Sequence, residues 1–98
     1  MYRHVVMLKW NDDVDAAHVE ATAAALDSAV ATIPEIADYR HGSDLGLADG
    51  NFDYAIVAEF ASVEDYTVYR DHPEHARVIG EFLKPYISAR AAVQYDAG

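Results

Sequence analysis

Residues 2–10 read Tyr2-Arg3-His4-Val5-Val6-Met7-Leu8-Lys9-Trp10. The stretch is rich in valine and has no turn residue, the composition of a β-strand. Successive side chains of a strand point to opposite faces. His4, Val6, Leu8 and Trp10 therefore share one face, and Arg3, Val5, Met7 and Lys9 share the other. Both faces carry large apolar groups, so both are expected to be covered. Whatever sheet this strand joins needs a layer on each side.

Working outward, Asn11-Asp12-Asp13 breaks the strand and offers helix-capping oxygens. Val14 to Ile33 reads as a long helix, with Val19, Ala23, Leu26, Val30 and Ile33 at three-to-four spacing. Asp13 and Asp15 make an acidic first turn that suits the helix dipole. Pro34 ends the helix by forcing its predecessor out of helical geometry. His18, in the second turn, is expected to face solvent. Ile36 to Leu47 reads as a second, more polar strand, with Tyr39, His41 and Ser43 on one face. Gly42 and Gly46 mark it as an edge, bulge or bend. Asp49-Gly50 is a hairpin signal. Phe52 to Phe60 is a third strand, with Tyr54, Ile56, Ala58 and Phe60 on one face.

Ser62 stands at capping-box distance from Asp65 and starts a helix that runs to about Arg70. Pro73 is placed for the first position of a further helix, to about Leu83, with Val78, Ile79, Phe82 and Leu83 inward. Tyr86 to Tyr95 is the last strand, with Ile87, Ala89, Ala91 and Val93 alternating with Ser88, Arg90, Ala92 and Gln94. The order strand, helix, strand, strand, helices, strand predicts an α+β fold: a ferredoxin-like four-stranded antiparallel sheet with helices on one face. Helices cover only one face, so the two-faced first strand predicts a second copy on the other, forming a dimeric α/β barrel.

The chain has 98 residues and is expected to be one domain over 1–98. Its formal charge is −10, with seven Lys plus Arg against 17 Asp plus Glu. That balance gives no basic footprint for nucleic acid and disfavours an anionic membrane surface. No apolar run reaches the roughly 20 residues of a membrane span. Arg3, His4 and Lys9 interrupt the early apolar run, so no signal peptide is expected. The absence of cysteine rules out disulfides and thiolate metal sites, and fits a cytoplasmic location. A small ligand in an apolar pocket is compatible with these properties.

Proton-transfer chemistry concentrates in Tyr66-Thr67-Val68-Tyr69-Arg70-Asp71-His72-Pro73-Glu74-His75. With Pro73 opening a helix, His75 falls in the first turn, where the dipole lowers its pKa and favours a neutral general base. His72 is placed either to cap that helix or to line a site. Tyr69 is a candidate partner that polarises a ligand carbonyl, and Tyr66 lies one turn before it. His4 belongs to a buried face with Trp10. The His-x-x-His pair is split by Pro73 and has no third ligand at a diagnostic spacing, so no metal is expected.

The strand His4–Trp10, Ile33-Pro34, Gly42-x-Asp44 and His72-Pro73-x-His75, in this order and spacing, resemble the stress-responsive dimeric α/β-barrel (Dabb) family. The resemblance covers about Tyr2 to Asp96 and implies a ferredoxin-like protomer in a homodimer without cofactors. Many members have no assigned reaction, so it implies first a barrel of unassigned role that binds a small apolar or aromatic ligand. Similarity to a plant polyketide cyclase of the family implies, as an alternative, acid–base catalysis by His75 and Tyr69, with His4 in the pocket. Leu26 and Tyr54 stand where that cyclase has a pocket tyrosine and a pocket histidine, which argues against the same substrate. A third reading is a small cofactor-independent monooxygenase with Trp10 or a tyrosine shaping the pocket.

Overall fold

The computed structural model describes all residues, Met1 to Gly98. Its elements are β1 (Tyr2–Trp10), α1 (Ala16–Val30), β2 (Asp38–Ser43), β3 (Tyr54–Phe60), α2 (Val63–Asp71), α3 (Pro73–Val78) and β4 (Ile87–Asp96). The sheet order is β2-β3-β1-β4, and every neighbouring pair is antiparallel. The helices lie on one face, giving the ferredoxin-like α+β arrangement that the element order predicts.

The alternation in β1 sets which side is core. Val6 and Leu8 are buried against the helices with Tyr54 and Ile56 of β3, Leu26 and Ala29 of α1, and Val78 and Leu83 beyond α2. Ile33, Ala58, Phe60 and Tyr69 extend this core towards one end of the sheet. The opposite face has no cover within the chain. Val5 and Val57 are half-buried there, and Met7, Val93 and Tyr95 are exposed.

Several boundaries differ from the sequence expectations. The first helix starts at Ala16, because Asp15 is its cap and accepts from the His18 amide at 2.9 Å. Asp13 and Asp15 therefore precede the helix, and its first turn carries no acidic residue. The helix ends at Val30, and Ile33 closes a tighter turn onto the Val30 carbonyl at 3.0 Å, since Pro34 cannot continue the ladder. Its buried stripe is Thr22, Leu26 and Ala29, offset from the expected one. The second and third strands are shorter than expected, and residues 44–53 form an open connection between them. Asp44 organises it, accepting from the Gly46 amide at 2.9 Å and from Asn51 Nδ2 at 3.1 Å. Gly46 and Gly50 supply positive φ of 74° and 83°. As the polar composition foretells, β2 is an edge strand.

His18 is not a solvent-facing residue. Its Nε2 bonds the Phe82 carbonyl at 2.8 Å, and its ring lies 3.8 Å from that of Tyr86. The Phe82 carbonyl is available because the chain after α3 widens into a π-turn, Ile79–Leu83, and then tightens into the 3-10 turn Lys84–Tyr86. Pro85 offers no amide there, so a side chain from α1 fills the vacant acceptor.

Candidate functional site: the cavity at the histidine corner

The corner is built from local chemistry. Ser62 caps α2, accepting from the Asp65 amide at 3.1 Å. His72 ends α2 and caps α3, its Nδ1 accepting from the Glu74 amide at 3.1 Å. Pro73 holds the first position of α3. The break turns the chain so that His75 faces back on α2. Its Nδ1 lies 3.1 Å from the Arg70 carbonyl, and its ring centroid lies 4.2 Å from that of Tyr69. A carbonyl only accepts, so Nδ1 carries the proton and Nε2 of neutral His75 keeps its lone pair.

Between this corner and the sheet lies a cavity of about 720 Å³. It brings together His4, Leu26, Tyr69 and His75 from four elements, with Tyr39 and Tyr66 beside them. The His4 ring centroid is 6.1 Å from Tyr69 and 5.3 Å from Tyr66. Gln94 donates its amide to Nδ1 of His4 at 2.8 Å, which leaves Nε2–H as the free donor.

The cavity keeps His4, His75, Tyr39 and Tyr69 neutral. Burial, then the positive charge of Arg90, lowers the pKa of His4 to about 4. Burial lowers that of His75 as well, partly opposed by its bond to the Arg70 carbonyl. Tyr69 is pushed up to about 12 by burial, against a lowering contribution from the Tyr39 hydroxyl. Burial raises Tyr39 too. Neutral imidazole and protonated phenol side by side are a base and a hydrogen-bond donor.

Three expected site residues do not line this cavity. His72 is occupied as the α3 cap. Trp10 packs edge-on to His18 at 5.9 Å and against Tyr54 at 5.8 Å, beyond the core side chains. The Tyr54 hydroxyl is bound 2.6 Å from Nδ1 of His41, whose Nε2 lies 2.6 Å from Asp27 Oδ1. The carboxylate accepts from Nε2–H, so Nδ1 accepts from the phenol, and the three residues form one directed chain. Sequence pattern singles out neither His41 nor Arg90 for the site. The register signal was present for both: His41 shares a face with Tyr39, and Arg90 stands opposite Leu8 on the helix-facing side. No group of three His, Asp or Glu side chains converges so as to hold a metal ion. No helix is long and apolar enough to cross a membrane.

Similarity searches agree with this architecture. A comparison with curated proteins finds no match. A dimeric ferredoxin-like protein of unknown function from Thermobifida fusca YX is 39% identical, with a TM-score of 0.90 over 96% of this chain and 88% of that one. A dimeric protein of unknown function and ferredoxin-like fold from Bacteroides fragilis NCTC 9343 is 26% identical, with a TM-score of 0.78 over 97% and 94%. The hydroxynitrile lyase from Passiflora edulis shares the fold at 21% identity, with a TM-score of 0.84 over 96% and 90%. The family model of the stress-responsive A/B barrel domain matches residues 2–97. The chain belongs to the stress-responsive A/B barrel (Dabb) family.

Proposed function

We propose that the protein is a homodimeric barrel that binds a small organic molecule with an apolar or aromatic body in the cavity at the histidine corner. There His75 acts as a general base and Tyr69 as the hydrogen-bond donor to the ligand's carbonyl oxygen. The reaction class is proton abstraction beside a carbonyl, the first step of an aldol-type cyclisation or of an isomerisation. The observation that carries this reading is the convergence of His75, Tyr69 and His4 on one cavity, with the His75 tautomer set by the Arg70 carbonyl. Nε2 of His75 would take the proton, and the Tyr69 phenol would stabilise the enolate oxygen as charge develops. His4, kept neutral, would offer Nε2–H as a second donor. The dimeric description of the Thermobifida and Bacteroides proteins supports a homodimer, and the uncovered apolar face of the sheet is the surface through which we propose it pairs.

The test needs no knowledge of the physiological substrate. Acetophenone in D2O exchanges its methyl protons slowly, and 1H NMR follows the loss of signal. The wild type should accelerate exchange over buffer by about a hundredfold or more, the usual worth of a positioned base. His75→Ala should return the rate to that of buffer. Absence of acceleration, or acceleration that survives His75→Ala, overturns the reading.

A further inference from the structure

Charge is sorted around the cavity in a way that its apolar walls do not require. The chain carries 17 carboxylates and seven Lys plus Arg. None of the carboxylates lines the cavity, whereas Arg70, Lys84 and Arg90 all do. A chain so acidic would be expected to put carboxylates at any large concave surface. Arg70 is held by Asp71 at 2.9 Å, and Arg3, Arg40 and Arg77 are likewise paired with carboxylates. Three cations remain without an ion pair: Lys9, Lys84 and Arg90. Lys9 lies on the far face of β1. The other two stand at the cavity, exposed at its rim.

Arg90 is aimed there by strand register. It pairs with Leu8 across β1 and β4, and Leu8 is a core residue on the helix-facing side. Its guanidinium is near enough to act on His4, Tyr69 and His75. An unpaired guanidinium at the mouth of an apolar cavity is a ready acceptor for a planar anion, which it can hold with two parallel hydrogen bonds.

We propose that the ligand of this cavity is an organic anion, an apolar or aromatic body bearing one carboxylate, and that Arg90, assisted by Lys84, receives the carboxylate at the rim. The inference rests on the cavity being the ligand site and specifies what that site takes. It also gives Arg90 two roles. In the empty cavity its charge helps hold His75 in the neutral, proton-accepting form. When a carboxylate neutralises it, the same imidazole becomes a stronger base, so the ligand's charge prepares the group that acts on its body.

The experiment compares 2-naphthoate with 2-naphthamide, which have the same ring system and differ in charge, by isothermal titration calorimetry with 15N-labelled protein spectra as a second readout. Naphthoate should bind about tenfold tighter than the amide. Arg90→Gln should abolish that preference and Lys84→Gln should reduce it, while Arg90→Lys should restore part of it. On the wild-type protein, rising salt should weaken naphthoate and leave naphthamide unchanged, a result that depends on no variant. Inorganic phosphate should compete poorly, since it lacks the apolar body. Equal affinity for the two compounds, or a preference untouched by Arg90→Gln, overturns the anion inference and leaves the cavity standing as a site. Binding of neither overturns both. The naphthoate preference should persist in His75→Ala, which separates this result from failure of the proton-transfer reading.

Discussion

The backbone carbonyl of Arg70 accepts a hydrogen bond from Nδ1 of His75 at 3.1 Å, across the corner that His72 and Pro73 make. One contact thereby fixes both the ring's orientation and which nitrogen is free. Burial lowers the His75 pKa from its ordinary value. The base form thus persists below the usual histidine range, and any His75-dependent exchange should be flat at neutral pH and fall along an acid limb centred below about 6.5. Arg90→Gln, by removing a positive neighbour, should move that limb upward. A limb centred above 6.5 in the wild type would contradict the assignment of His75 as the base. The pH dependence of acetophenone exchange reads both results.

His4 makes a separate, thermodynamic prediction. Its pKa falls to about 4 in the fold, mainly through burial, against an ordinary value of 6.5. Between those values the unfolded chain holds a proton that the folded chain refuses. Stability therefore rises with pH across this window and is lost as pH falls from about 6.5 to about 4. The contribution is on the order of 3 kcal/mol. Urea unfolding at pH 7 and pH 4.5 should show a steep loss in the wild type. His4→Gln keeps an acceptor for Gln94 and should flatten most of that difference. The residual slope should have the same sign, because His75 is also lowered. An unchanged slope in His4→Gln would place the acid sensitivity elsewhere.

The readable parts of this chain are those in which local chemistry and fold agree. Strand alternation in Tyr2–Trp10 separates the core face from the open face, and Ser62 and Pro73 mark helix starts that need no tertiary context. The corner was legible for the same reason: a capping histidine, a proline and a histidine in the next turn have only a few ways to fold. Other features depend on distant partners. The π-turn at Ile79–Leu83 departs from the helical period; Gly80 inside it and Pro85 just after it signal a helix end but not a widened turn, and its open carbonyl is met by His18, 64 residues earlier. The Tyr54 environment reads as an apolar strand face, yet its phenol is committed to a histidine on β2 that is itself tied to α1. Arg90 reads as one polar position in an alternating strand. Its importance comes from the sheet register and from every other arginine having found a carboxylate.

The Asp27–His41–Tyr54 chain spans α1, β2 and β3, and is expected to stabilise rather than to react, because Tyr54 is buried away from the cavity. Tyr54→Phe removes the donor and leaves Nδ1 of a nearly buried imidazole unsatisfied. The cost should be about 1–2 kcal/mol. His41→Phe should cost a similar amount, since it strands the buried phenol. The double variant should cost clearly less than the two singles added, because each leaves the same bond unmade. Denaturant midpoints for the four proteins measure this coupling. Strict additivity would mean that the two residues act independently. Neither change should abolish acetophenone exchange, since neither His41 nor Tyr54 lines the cavity.

The open face of the sheet makes the last prediction. Val5, Met7 and Val57 lie on it at consecutive paired positions of β1 and β3, and Val93 continues the row on β4 across from Val5. Met7 is 42% exposed and Val93 55%, side chains that a lone domain of this size has little reason to present together. The helices cannot reach them, because the sheet lies between. A second copy placing the same face against this one would cover both and return the apolar alternation of β1 to two buried layers. Sedimentation at micromolar concentration should therefore show a two-chain species. Val57→Glu puts a charge into this row, directly across from Val5, and should shift the distribution to one chain. Glu64→Gln, on the exposed first turn of α2, is the control and should leave the dimer intact. A wild type that sediments as one chain would refute pairing through this face. A Val57→Glu protein that stays dimeric would place the contact elsewhere on the surface.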